Sequence, residues 1–266
     1  MLSIDVVLGA MAGLLFFSRL LRVEVEAPLF LLIGLAVWCI YTGDHLFDAI
    51  QARELVSHRH KFHARHQKLL AIGLIIGVSV GLILAFQSLG LRKEFLWSLG
   101  LGLIIILTMF LLRKAGQASG YWKEISTSIF YVLGISWIPL LRANSQDLFG
   151  KPLFFFFYFT ALAFMNLLML AVLDQKEDRA QGFPSLPGML GSEQVLIGVR
   201  RLNFFLIFVG LAGFILINSF YRPFACVLLL MSLVHYLSFF RQSLPADVKR
   251  KRMEASFLLP WLLLVL

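Results

Sequence analysis

Apolar residues in this chain come in blocks of roughly twenty, the length a helix needs to cross a hydrocarbon core of about 30 Å. The blocks lie at approximately 5–21, 27–50, 69–87, 94–112, 123–142, 152–174, 199–218, 222–240 and 249–266. The expected class is therefore all-α, a polytopic membrane protein of nine transmembrane helices. The last block is the shortest in apolar content, because FLLPWLLLVL needs the preceding KRMEAS to reach spanning length. The first does not read as a signal peptide, since its charges, Arg19 and Arg22, follow the apolar stretch. Composition agrees with the class. Of the 266 residues 59% are hydrophobic and only 15% charged, against about a quarter charged in a soluble domain. No Pro-rich, Ser-rich or charged linker divides the chain, so residues 1–266 read as one domain.

Lys and Arg set the expected orientation. With the N-terminus in the cytoplasm, most basic residues fall in loops on that side, leaving Arg19, Arg22, Arg92, Lys93, Arg142, Lys151 and Arg222 opposite. The net charge of +9 is then a signal of membrane orientation. No soluble basic domain exists to bind nucleic acid, so none is expected as a partner; the lipid bilayer is. Cys39 and Cys226 both lie inside apolar blocks and read as small buried hydrophobes, without a disulfide.

Acidic residues are the feature that such a chain must explain. YTGDHLFDAIQAR, residues 41–53, puts Asp44 and Asp48 one helical turn apart at the end of the second block. AVLDQKEDRAQGFPSLP, residues 171–187, repeats the spacing with Asp174 and Asp178 at the end of the sixth. The same 130-residue interval separates Asp44 from Asp174 and Asp48 from Asp178, which suggests a four-helix unit used twice. Both pairs are expected on the cytoplasmic side. Residues i and i+4 share a helix face, and an ionised side chain deep in a membrane costs about 2.5–3.5 kcal/mol. Four carboxylates therefore need compensation. Mg²⁺ offers it: a hard cation that binds through one or two carboxylates plus substrate phosphates. The plainer reading is that the acids mark helix ends at the water interface.

These residues resemble the UbiA-type intramembrane prenyltransferases. That family has nine transmembrane helices around a central cytoplasm-facing cavity, with an N-D-x-x-D-x-x-x-D motif on the second helix. On the sixth it carries D-x-x-x-D, then a glycine and often a Ser/Thr-Leu segment. The second motif is complete here, as Asp174, Asp178, Gly182, Ser185 and Leu186. The first is partial: Asp44 and Asp48 match its last two acids, but Ile40 and Tyr41 stand where Asn and the first Asp would be. Tyr41 would then either donate to a diphosphate or pack in the core. The resemblance implies that Asp44, Asp48, Asp174 and Asp178 are the catalytic and metal-binding residues. It implies Mg²⁺ as cofactor and an isoprenyl diphosphate as substrate.

Cationic side chains should complete such a site, because they hold phosphate oxygens with charge-assisted hydrogen bonds. SHRHKFHARHQK, after the second block, resembles the family's cavity-capping loop and carries Arg59, Lys61 and Arg65. Arg113 and Lys114 resemble its basic pair after the fourth helix, and Lys123 follows closely. Arg59, Arg113, Lys114 and Lys123 are the expected diphosphate-binding residues. His58, His60, His63 and His66 invite a di-iron reading, but such sites draw on more histidines spread over several segments. Of the 26 phenylalanines, FFFFYF at 154–159 covers every side of a helix, so no ring is assigned a catalytic role. GFPSLPGMLGSEQ, 182–194, is expected as an irregular loop able to close over a substrate, or as an ordinary connector.

The expected function is Mg²⁺-dependent transfer of a prenyl group to an unidentified acceptor inside the membrane, with the active site facing the cytoplasm. A UbiA-type terpene cyclase and a non-catalytic membrane protein retaining the fold are the alternatives.

Overall fold

A computed structural model describes residues 4–51, 62, 64–115, 120, 122–144, 148, 150–181 and 185–265, the side chains at 48–51, 113 and 181 excepted. The long helices are α1 (Ile4–Leu20), α2 (Ala27–Gln51), α3 (Gln67–Leu89), α4 (Lys93–Lys114), α5 (Trp122–Arg142) and α6 (Lys151–Gln181). After a short α7 (Leu186–Leu190) come α8 (Ser192–Leu216), α9 (Arg222–Phe239) and α10 (Ala246–Ser256). Two 3₁₀ turns, Ser219–Tyr221 and Leu259–Leu264, complete the fold, and no strand occurs among the described residues.

Seven of these helices are long and apolar enough to cross a membrane, from α2 to α6, then α8 and the Ser219–Phe239 stretch that contains α9. The first expected span forms α1, which has 17 residues and buries ten of them against its neighbours. The ninth expected span divides. α10 is polar, with LeuLeu-rich sequence only after it, and Pro260 sits in the following 3₁₀ turn. Two boundaries also move. α6 runs past 174 to Gln181, since nothing between Gln175 and Gln181 breaks a helix. α8 begins at Ser192 rather than 199, immediately after Gly191, whose φ of 89° only glycine adopts without strain.

Consecutive helices pack on one another, and α1 also lies against α5, α10 and the last 3₁₀ turn. Aromatic rings fill the centre. Phe16 meets Phe224 edge-on at 5.3 Å, and Phe17 stacks on Phe156 at 4.5 Å. The run at 154–159 divides by helix face: Phe155, Tyr158 and Phe159 are buried, while Phe157 is 71% exposed. By contrast α4 buries nothing in its apolar window, and Leu103, Ile106, Leu107 and Phe110 line an open groove on it. That is the surface of a helix facing lipid.

In an apolar solvent, helices gain little from hydrophobic burial and associate through close packing and hydrogen bonds. Tyr158 on α6 donates to the Leu206 carbonyl of α8 at 2.7 Å and lies 3.1 Å from Ser232 Oγ on α9. His235 of α9 spans to α6, with Nε2 3.2 Å from Asn166 Oδ1 and Nδ1 2.8 Å from the Met231 carbonyl.

Helix ends are tied by charge. Arg142, at the end of α5, reaches Glu26 Oε2 at 2.7 Å before α2 and Glu94 Oε2 at 3.2 Å at the start of α4. Hydrogen bonding from Arg142 holds the Glu26 carboxyl below its ordinary range. Its contribution is present above the unfolded carboxylate pKa and is lost as pH falls through the lowered value. With Glu26 63% exposed, that contribution is small. The three ends define one face of the bundle, and the opposite ends of α2, α4 and α5 therefore lie on the other. Cys39 and Cys226 are free thiols, in line with the sequence reading.

Gly210 gives a test of the packing. A Cβ there would collide with the Tyr158 hydroxyl, whereas one at Gly134 has nothing within 4 Å. Gly210→Ala should destabilise by roughly 1–3 kcal/mol, read as a lower melting temperature in detergent. Gly134→Ala should leave that temperature unchanged or higher.

Candidate functional site

α6 carries the complete acid pair on its last turns, so both carboxylates are helical rather than in a loop. Asp174 is ion-paired with the Arg250 guanidinium of α10, the side chains 33% and 18% exposed. Sequence reading missed this partner. Arg250 sits among Lys249, Lys251 and Arg252, and nothing in a run of four basic residues says which one turns inward. Burial opposes its charge, but Asp174, with Glu254 and Glu177 beyond, more than offsets that and raises its pKa. The compensation assigned to Mg²⁺ from the sequence is thus supplied, for Asp174, by the chain itself.

Asp178, one turn further, lies within electrostatic reach of Lys123, Asp174, Glu124 and Glu177. Glu124 is the second residue the sequence did not single out. It belongs to the first turn of α5, where an acid suits the positive end of the helix. It is 6% exposed. The backbone N–H of Leu186 donates to its carboxylate, and Oε2 has no hydrogen-bond partner. A buried carboxylate oxygen with an open lone pair is unusual.

The expected 182–194 loop contains ordered structure. α7 folds over the end of α6, held by Gln175, whose Nε2 donates to the Pro187 carbonyl at 3.0 Å. Ser192 Oγ donates to Gln175 Oε1 and fixes the amide. Gly120 lets the chain approach closely, because a Cβ there would strike Met189 Sδ.

On α2, Asp44 is half-buried and one turn beyond Tyr41. Tyr41 packs against the core, the second of the two roles expected for it, with its ring 6.1 Å from that of His45. It also lies within electrostatic reach of Tyr131 on α5. Asp48 follows Tyr41 by seven residues and Glu124 precedes Tyr131 by seven. At 1.5 Å of rise per residue, both stand about 10 Å toward the same face. Helix direction therefore brings α2's acid pair to the face that holds Asp174 and Asp178, opposite Arg142. The Asp48 side chain lies outside the described residues.

The expected phosphate-binding cations divide. Arg59 and the Arg113 side chain lie outside the described residues. Lys114 is exposed, its Nζ 4.7 Å from the Phe110 ring centroid on its own helix. Lys123 is exposed but within electrostatic reach of Asp178. Of the histidine cluster, His58, His60 and His63 are outside the described residues, and His66 packs on Phe62 at 4.8 Å.

Among the described residues no group of three His, Cys, Asp or Glu side chains is drawn together to hold a metal ion. Mg²⁺ does not demand such a cage, since substrate phosphates complete its shell. Asp178 and the unpartnered Glu124 Oε2 are oxygen donors of the right hardness, so the residues present fit the ion. Comparison with known protein families, with curated proteins and with solved structures finds no match.

Gln175→Leu removes the bond to the Pro187 carbonyl that seats α7 and the bond from Ser192 at the start of α8. Two neutral hydrogen bonds contribute roughly 1–3 kcal/mol, so hydrogen exchange of the 185–192 amides should speed up by about tenfold or more. Unchanged exchange would show that α7 is held elsewhere.

Proposed function

We propose that this chain is a divergent UbiA-type prenyltransferase of nine spans, with α1 and the α10 region as the first and last. It acts on an isoprenyl diphosphate at a cytoplasm-facing site. One observation carries the reading: the ends of α2 and α6 share a face, and there a buried acid with an unpartnered oxygen, Glu124, stands beside Asp178. Solvated helix ends would not bury a carboxylate from a third helix among them.

Asp44, Asp48, Asp174 and Asp178 would hold Mg²⁺, which when bound neutralises charge on a departing diphosphate. The chain's own residues do the remainder. Lys123, Arg59 and the α4-end residues Arg113 and Lys114 orient phosphate oxygens. α7 covers the end of α6 and limits water. An allylic cation formed at the acid face would be shielded from water by the apolar bundle, which slows its quenching. Proton loss from the acceptor follows bond formation.

A second reading has its own support. Because Arg250 neutralises Asp174 internally, the pair also suits a non-catalytic membrane protein that keeps the fold.

The test is incubation of the purified protein with Mg²⁺ and farnesyl or geranylgeranyl diphosphate, measuring inorganic diphosphate. Release that requires an added acceptor is the expected result. Release without one, with cyclic products, identifies a cyclase. No release with any chain length leaves the non-catalytic reading. In an active preparation, Asp178→Ala should lower turnover by about 100-fold or more while membrane insertion is retained.

A further inference from the structure

Four consecutive basic residues on α10 take different roles. Lys249 donates to the Phe239 carbonyl at 2.8 Å, and Lys251 and Arg252 are exposed. Arg250 alone of the four reaches α6, where its NH2 group donates to Asp174 Oδ1. Its side chain is 18% exposed, so the guanidinium is largely withdrawn from water. A guanidinium carries five N–H donors, and its planar fork matches phosphate as well as it matches carboxylate. The contact to Asp174 uses a fraction of that capacity.

The acids and the arginine make opposite demands on a ligand. A divalent cation seeks the Asp174 carboxylate, and the adjacent positive charge of Arg250 opposes it. A diphosphate seeks Arg250, and the adjacent negative charge of Asp174 opposes that. Arriving together, the two ligands satisfy both groups, because cation and diphosphate neutralise each other's repulsion.

We infer that Arg250 is a diphosphate-binding residue of this site, held on Asp174 until cation and diphosphate arrive together. This rests on the proposed diphosphate chemistry, but names a residue from α10 that none of the sequence motifs contains. In the ligand-free protein Arg250 removes the penalty of an unpaired Asp174. In the loaded protein it faces phosphate oxygens, and Asp174 is released to the cation. Arg250 is thereby both a stabilising partner and a competitor for the same carboxylate.

The experiment uses the full chain in lipid nanodiscs and two probes: Mn²⁺ alone, followed by electron paramagnetic resonance, and inorganic pyrophosphate with Mn²⁺, followed by calorimetry. Arg250→Gln should bind Mn²⁺ alone several-fold more tightly, since a competitor for Asp174 is gone, and pyrophosphate about tenfold more weakly, since a charge-assisted donor is gone. Arg250→Lys should keep part of the pyrophosphate affinity. A purely structural role predicts that both probes weaken together, and that result overturns the inference. Wild-type protein that binds both probes, with Arg250→Gln unchanged in either, overturns it while leaving the proposed function standing. Wild-type protein that binds neither probe overturns the proposed function as well. Should Arg250→Gln fail to fold, Arg250→Lys decides alone: weaker pyrophosphate with Mn²⁺ binding retained supports the inference, and loss of both overturns it.

Discussion

An ionised carboxylate drawn into an apolar bundle must be met by positive charge or by donors, because no solvent there will do it. α6 meets this constraint at Asp174 with Arg250, supplied by a helix 76 residues away. The pair links α6 to α10, which also packs on α9 and α1. Both side chains are only partly withdrawn from water, so losing one partner costs more than losing a surface bridge and less than stranding a fully buried charge. The acid motif is thus structural as well as chemical. Its first carboxylate is paired with the C-terminal region, and the second, Asp178, has no ion pair among the described residues.

The middle of the bundle follows a different rule. Phe16, Phe17, Phe155 and Phe159 are fully buried, and the hydroxyl of Tyr158 links α6 to α8 and α9. Apolar rings alone do not tell a membrane helix which neighbour to choose, since lipid tails suit them equally well. The hydrogen bonds of Tyr158 and His235 do, and they fall between α6, α8 and α9. α3 and α4 have few contacts of that kind and remain mostly lipid-facing.

Much of this was legible in the sequence. The apolar blocks located the long helices, because length and hydropathy are local properties. The acid pairs were legible as pairs, since i and i+4 spacing is local too. What escaped was long-range choice. Arg250 looks like its three basic neighbours until α10 is placed against α6. Glu124 reads as an ordinary N-terminal acid of α5 until α7 folds over it. The 182–194 segment reads as a loop from its Gly and Pro content, yet Pro187 suits the first turn of α7 and Gln175 secures it from outside the segment. The last block hides a change of character for a similar reason. Hydropathy averaged over KRMEAS and FLLPWLLLVL hides the change at residue 256, where an α-helix gives way to 3₁₀ geometry.

Arg142 has a mechanical consequence. It pins the start of α2, the start of α4 and the end of α5 at a single point. Because the junction is partly open to water, it aligns three helix ends drawn from distant parts of the chain while adding little to their stability.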